Sequence, residues 1–393
     1  MKKAIIRFGI IGIGNMGSSH VRNIEALGNA ELTAVCDLNP DAFLRIAPAT
    51  RQKLKFYTDP DLFLAGEEMD AIIIAVPHYA HPDLAIQAMK HGKHIIVEKP
   101  IAVHKAEAKR LLQAAADYPH LKKTAMFNQR AMPIHRKLKE LIDRGALGRI
   151  NRVNWIITDW FRSQCYYDSG DWRASWRGEG GGVLLNQCPH QLDLMQWFFG
   201  MPVLVRAAAK LGKFHQIEVE DEVNAYMEYG DGGTANFIAS TGEIPGTNRL
   251  EIAAENGRLV YEDRKLVFHR TEIAVSKYNR TTNRRFGLPD VWECRIPGGS
   301  DNPTPHRDII ANFIEAIQKD EPLIAPLEDG INSLELGNAM LYSGLTGRVV
   351  RLPLDSARYA AMLERLAAGS SYQKKPVLAA IGDDAGFANS FRG

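Results

Sequence analysis

Ile5-Ile-Arg7-Phe-Gly9-Ile-Ile11-Gly12-Ile13-Gly14-Asn15-Met16-Gly17 runs an apolar strand into a glycine-rich turn, and Ser18–Leu27 reads as the helix beyond it. Apart from Arg7 and Gly9 the strand is apolar, the composition of one buried on both faces of a parallel sheet. G-x-G-x-x-G at such a junction is the dinucleotide fingerprint. Gly12 permits the tight turn, Gly14 lets a pyrophosphate reach the backbone, and Gly17 lets the helix pack on the strand. Amides at the helix N-terminus then bind the phosphates. A glycine turn in an unrelated α/β unit would look the same in isolation. Here a second strand, Glu31–Cys36, ends at Asp37, at the ~20-residue spacing expected for a ribose-binding carboxylate. That carboxylate accepts from ribose hydroxyls and repels a 2′-phosphate, so NAD is expected in preference to NADP.

The chain continues to alternate. Asp70–Val76 is another buried strand, ending at Pro77-His78, and Leu84–His91 is a helix closed by Gly92. His94–Val97 then delivers Glu98, Lys99 and Pro100 to the carboxyl end of a strand, the edge where ligands sit in open parallel sheets. A lysine there can act on a reacting oxygen. By itself the tripeptide also reads as a surface ion pair before a turn. A helix over Lys105–Ala116 and a strand near Thr124–Phe127 complete the pattern of a doubly wound parallel sheet. His78 and His81, just before Pro82, read as caps of the next helix or as groups at a cofactor edge.

After the helix Pro133–Arg144, from Ile150 on, strands alternate with glycine turns such as Tyr229-Gly-Asp-Gly-Gly, predicting a second α+β domain with an open, mostly antiparallel sheet. Helices follow near His306–Gln318 and Gly330–Tyr342, then a short one at Tyr359–Ala368. The expected organisation is a Rossmann domain over residues 1–130, a substrate and oligomerisation domain over 131–353, and a C-terminal helix and tail over 354–393. The last ~24 residues carry no strong pattern and read as an arm. Lys277–Arg285 reads as a basic, solvated polar loop, one that a phosphorylated substrate or a neighbouring subunit could also use.

With 393 residues the chain has core enough for two domains, and a net charge of +2 gives no sign of nucleic-acid or membrane binding. Cys36, Cys165, Cys188 and Cys294 form no C-x-x-C pair or ligand cluster, so reduced thiols and no metal are expected. Met1-Lys2-Lys3 before isoleucines superficially resembles a secretory start, but Arg7 interrupts the run and no small-residue cleavage site follows. A cytoplasmic protein is expected.

A second segment carries chemistry: Gly180-Gly-Gly-Val-Leu-Leu-Asn186-Gln-Cys-Pro189-His190-Gln-Leu-Asp193. If the helix ending at Phe199 extends back this far, Asn186 and His190 share one face. Pro189 can instead delay the helix and weaken that spacing. A neutral imidazole is suited to take a hydroxyl proton; a satisfied helix histidine beside a glycine hinge is the plain alternative. Upstream, Trp155, Trp160, Trp172 and Trp176 are interleaved with Phe161, Tyr166, Tyr167 and the charged Asp159, Arg162, Asp168 and Asp171. Aromatic faces against C–H surfaces, with charges reaching hydroxyls, make a carbohydrate site of Trp160, Tyr166 and Trp172 one reading; aromatics filling the core between sheet and helices is the other. Trp155 reads as core.

Together the fingerprint, Glu98-Lys99-Pro100, Asn128-Gln129-Arg130, Trp172-Arg173 and the Gly-Gly-Gly…His…Asp run resemble the glucose–fructose oxidoreductase/inositol dehydrogenase family of NAD(P)-dependent oxidoreductases, from about Ile6 to Pro353. The resemblance implies C-terminal helices returning to the first domain, and homodimers or homotetramers pairing through the outer face of the second sheet. It implies roles for Lys99 and His190 at the reacting carbon. Pro77, Glu98, Asn128, Trp172 and Arg173 would contact the cofactor, and Arg130, Trp160, Tyr166 and Asn186 a sugar or polyol. Where the family usually carries aspartate this chain has Asn186, which cannot stabilise an imidazolium as a carboxylate would; Asp193 more plausibly packs or caps locally. The aromatic loop is similar to that of glycoside 3-dehydrogenases and levoglucosan dehydrogenase. Three activities stand beside one another: a net dehydrogenase, a glycosidase or epimerase with transient oxidation on retained NAD, and a non-catalytic NAD-binding regulator. Lys99 and His190 argue against the last.

Overall fold

The computed structural model describes residues 5–299 and 303–372. They form two compact units. The first holds the residues up to Ala131 together with Thr304–Leu334, and the second holds the described residues between Met132 and Pro303 and those from Glu335 on.

In the first unit six strands, β1 (Ile6–Ile11), β2 (Ala30–Cys36), β3 (Lys55–Tyr57), β4 (Ala71–Ile74), β5 (His94–Val97) and β6 (Lys123–Ala125), lie parallel in the order β3-β2-β1-β4-β5-β6. Helices on both faces demand side chains apolar on both sides, and Phe8, Ile10, Ile72, Ile73, Ile95 and Ile96 are fully buried. The strand order reverses between β1 and β4. That is the switch point at which a doubly wound sheet opens a crevice beyond its carboxyl ends.

The compact units differ from the sequence boundaries. Thr304–Leu334, assigned by sequence to residues 131–353, belongs to the first unit, and the described residues after Pro353, expected as a separate segment, belong to the second. The helix Pro305–Lys319 buries Ile309, Ile310, Phe313 and Ile314, with Phe313 edge-on to His94 of β5. Ala325 accepts a 3.0 Å hydrogen bond from Ala125, so the returning chain covers the exposed edge of β6.

In the second unit nine strands run β7 (Ile150–Ile157), β8 (Leu204–Leu211), β9 (Glu220–Glu228), β10 (Thr234–Ser240), β11 (Asn248–Ala254), β12 (Gly257–Glu262), β13 (Lys265–Thr271), β14 (Val291–Ile296) and β15 (Val350–Arg351). Their order is β14-β13-β12-β11-β7-β10-β9-β8-β15, antiparallel throughout except for β7 beside β10. The period-two alternation sorts the faces. Ala225, Phe237, Trp155, Leu250 and Tyr261 line up across neighbouring strands as one buried row. Helices cover that face: His135 packs edge-on against Phe198 and Tyr261, and a Cβ on Gly344 would come within 2.6 Å of the Ala209 Cβ. The other face carries Arg152–Glu251, Arg249–Glu251 and Arg249–Glu262 ion pairs. Lys277–Arg285 is not wholly loop, because a helix spans Val275–Thr281. Its first amides are held by Glu255, through the carbonyl to Val275 and through the carboxylate to Ser276, both at 2.8 Å. The C-terminal arm expected after the last helix lies, from residue 373, outside the described residues.

Candidate active site

In the first unit the fingerprint turn meets its steric specification. Gly12 has φ +89°, and a Cβ there would stand 2.4 Å from the Ala75 carbonyl oxygen at the end of β4. A Cβ on Gly17 would fall 1.9 Å from the Gly12 oxygen. At Gly14 the reverse holds: a Cβ would meet nothing within 4 Å. The backbone is therefore open where a phosphate would approach and closed where helix and strand touch. The helix Asn15–Glu25 begins there with no side-chain cap and no acidic residue in its first turn, leaving its terminal amides and positive dipole end for an anion. The residues present fit a dinucleotide pyrophosphate. Asp37, at the end of β2, accepts from Ile13 N at 2.7 Å and from Asn39 N at 2.9 Å. It braces the turn, and each carboxylate oxygen keeps lone-pair capacity for a ribose hydroxyl.

Beyond β5, Glu98 is buried and Lys99 half-buried. Glu98 accepts from His20 Nε2 at 2.8 Å and, on its other oxygen, from the Lys99 amide at 3.1 Å. Burial works to raise the Glu98 carboxyl, but the His20 hydrogen bond and the nearby His20, His306 and Lys99 charges bring it down to about 2. His306 is held down to about 4, chiefly by burial, and accepts a 3.2 Å bond from Asn128 Nδ2. Buried His20, Glu98 and Asn128 and the half-buried His306 therefore form a polar cluster next to Lys99 in the chain, and two of its members went unrecognised in the sequence. His20 shares the buried face of its helix with Gly17, Val21 and Ile24, which was the available signal; nothing local marks His306.

His81 caps no helix. Its ring nitrogens lie 2.7 Å from the Pro100 carbonyl and 2.8 Å from that of Val76, so it ties the end of β4 to the Glu-Lys-Pro turn. Pro77 is exposed at the same strand end. Arg130, expected on the substrate side, is 1% exposed; it donates to Asp329 Oδ2 at 2.6 Å and lies over the Phe127 ring. That ion pair ties the Asn128–Ala131 turn to the returning chain.

In the second unit the triple glycine packs against β9. A Cβ on Gly182 would stand 2.0 Å from the Glu220 oxygen. The fully buried Glu220 carboxylate accepts from Gly182 N at 2.9 Å and Leu184 N at 3.1 Å, and burial nonetheless pushes it up to about 7. The helix that follows begins only at Pro189. Proline has no N–H to donate and sits naturally in the first turn, so Asn186 precedes the helix and does not share a helical face with His190. Instead its side-chain amide donates to Glu179, a buried carboxylate that also accepts from Ala174 N at 2.7 Å. His190 is the second residue of the helix, and Asp193 accepts locally from Gln196 at 3.0 Å.

The aromatic loop divides as expected at one end. Trp155 is core, its indole donating to Asn248. Arg173 lies over the Trp172 and Tyr166 rings, 4.4 and 4.5 Å from their centroids. The Tyr166 hydroxyl accepts from Arg173 at 2.7 Å and from Gln187 at 3.1 Å, which links the loop to the segment carrying Asn186. Glu179 and Gln187 are further residues unrecognised in the sequence. Among the described residues no group of His, Cys, Asp and Glu could hold a metal ion, and no helix is long and apolar enough to cross a membrane.

Comparison with known proteins extends these observations. Residues 6–122 match the model of an oxidoreductase family with an NAD-binding Rossmann fold, and residues 135–260 match the GFO/IDH/MocA C-terminal domain. Inositol 2-dehydrogenase of Rhizobium meliloti is 25% identical, the match covering 86% of this chain and 96% of that protein. The WlbA dehydrogenase of Bordetella pertussis, solved in complex with NADH and UDP-GlcNAcA, superposes with a TM-score of 0.74 at 27% identity, covering 89% of this chain and all of that one. Levoglucosan dehydrogenase with NADH and levoglucosan shares the fold, with a TM-score of 0.73 at 21% identity over 88% of this chain and 99% of that one. The matched halves take in both the glycine turn that binds the dinucleotide and the Gly-Gly-Gly…His segment, and the chain belongs to the GFO/IDH/MocA family of NAD-binding oxidoreductases.

Proposed function

We propose that this protein oxidises a secondary hydroxyl of a sugar, glycoside or cyclic polyol. The observation that carries the reading is the Gly12–Gly17 turn, open at Gly14 alone and set at the switch point of the sheet. NAD bound there supplies the hydride acceptor. Ile13, Asn15 and Met16 line the turn, Asp37 holds the ribose, and Pro77, Glu98, Lys99, Asn128, Trp172 and Arg173 contact the cofactor further along. His190 takes the hydroxyl proton on its imidazole. Asn186, being an amide, adds no charge that would stabilise the imidazolium, so His190 works as a neutral base. Lys99 stabilises the alkoxide oxygen through its ammonium. Tyr166, Trp160 and Arg130 border the sugar, and Arg130 is also paired with Asp329.

Names among the relatives favour net dehydrogenation over transient oxidation. The relatives include a dehydrogenase of inositol and one of glucose 6-phosphate. The ion-paired outer face of the second sheet is the surface we assign to homodimer or homotetramer formation, to be checked by light scattering. The catalytic assignment is tested with Lys99→Met: turnover should fall by several orders of magnitude while NAD still binds. Undiminished turnover would remove Lys99 from the chemistry.

A further inference from the structure

Around Tyr166 the second unit gathers buried polar atoms that its own side chains do not satisfy. Trp160 is 7% exposed, and its indole N–H has no hydrogen-bond partner. The Arg162 Nε–H and the Gln187 Oε1 are likewise buried and unpartnered. The three belong together. Arg162 lies 5.3 Å from the Trp160 ring centroid and 5.1 Å from that of Tyr166, and Gln187 donates to the Tyr166 hydroxyl. Native proteins keep few buried donors unpartnered, so a cluster of them points to a ligand.

The inventory says what kind. Tyr166 already accepts from Arg173 and Gln187, so its own O–H proton is a further donor. Three donors, from Trp160, Arg162 and Tyr166, stand beside one acceptor, Gln187. Arg162 donates through NH1 to the Phe161 carbonyl at 2.8 Å, and the nearby Asp159 carboxyl feels its charge. A neutral hydroxyl would leave the donor excess unanswered. An oxygen-rich anion answers it and is drawn by the Arg162 and Arg173 guanidinium groups.

We infer that Trp160 and Arg162 form a subsite for an anionic substituent of the substrate, a carboxylate or a phosphate ester, with Gln187 accepting from an adjacent hydroxyl. The inference rests on the sugar-oxidising reading above and narrows its substrate class to acidic sugars.

Calorimetric titration of the NAD-saturated protein with glucuronate, glucose 6-phosphate and methyl glucoside tests it. At least one acidic sugar should bind about tenfold or more tighter than the neutral one, the effect of one charge-assisted hydrogen bond. Which acid binds separates carboxylate from phosphate. Arg162→Gln should abolish most of that preference and leave methyl glucoside unchanged, and Trp160→Phe, which keeps the ring and loses only the N–H, should also abolish most of the preference. Failure of both acids to bind, equal binding of the neutral glycoside, or an acid preference intact in both variants would overturn the subsite. NADH formed from neutral sugars alone would overturn it while sparing the dehydrogenase reading. Acid binding without NADH from any sugar would do the reverse.

Discussion

Gly14→Ala separates binding from folding. Gly14 has φ −74° and ψ −161°, a conformation any L-residue adopts, and an added Cβ meets nothing within 4 Å. Restricting the unfolded chain would favour alanine by about 0.4–1 kcal/mol, and alanine's poorer fit at a helix N-cap offsets that gain, so the melting temperature should stay close to the wild type's. The methyl would, however, stand where the backbone must be approached by a pyrophosphate. Loss of one amide–phosphate hydrogen bond costs about 1.5–3 kcal/mol, or roughly 10- to 150-fold in NAD affinity. Gly17→Ala is the opposite case, since its Cβ would lie 1.9 Å from the Gly12 oxygen; overpacking of that kind costs about 1–3 kcal/mol of stability. Thermal melts without NAD and a fluorescence titration with NAD measure both quantities. A Gly14→Ala protein that melts below the wild type and binds NAD equally well would refute the cradle.

Two further substitutions probe the remaining polar sites. Asn186→Asp would set a second carboxylate in hydrogen-bonding position with Glu179, forcing the pair to share a proton; activity at pH 8 should drop at least about tenfold and recover when Glu179→Gln restores an amide–carboxylate bond. A double variant no better than the single would mean that the Glu179–Asn186 contact does not matter. His306 titrates near 4 in the fold, because of burial, against about 6.5 unfolded. Between those values the unfolded chain binds more protons, so this contribution is complete above pH 6.5 and is lost as pH falls toward 4, on the order of 3 kcal/mol in all. Urea midpoints for His306→Gln should therefore fall less steeply than the wild type's between pH 7 and 5; parallel curves would place the titration elsewhere.

What the sequence revealed depended on the range of the interaction behind it. Gly12 and Gly17 were legible because a strand–turn–helix junction imposes local steric demands that only glycine meets. The placement of Asp37 and Lys99 at strand ends follows equally from local patterning. The second sheet announced itself through period-two alternation, though not the parallel pairing of β10 with β7, which no local pattern encodes. His20 and Glu98 are 78 residues apart and Asn128 and His306 are 178 apart, so their association exists only in the folded chain. The return of Thr304–Leu334 to the first unit likewise depends on contacts far apart in sequence, Phe313 with His94 and Ala325 with Ala125. Asn186 and His190 were separated by a single residue's chemistry: Pro189 starts the helix, and the four-residue spacing counts for nothing upstream of it. Arg130 pairs with Asp329, 199 residues away, a contact that no local pattern encodes.

The most direct test of the whole account is absorbance at the NADH band when the purified protein and NAD+ meet a panel of neutral and acidic sugars, inositols and glycosides. A net dehydrogenase predicts stoichiometric NADH with one substrate group, abolished in Lys99→Met and in His190→Ala. Glycoside cleavage or epimerisation with no NADH accumulating, or NAD binding with no reaction across the panel, would contradict it.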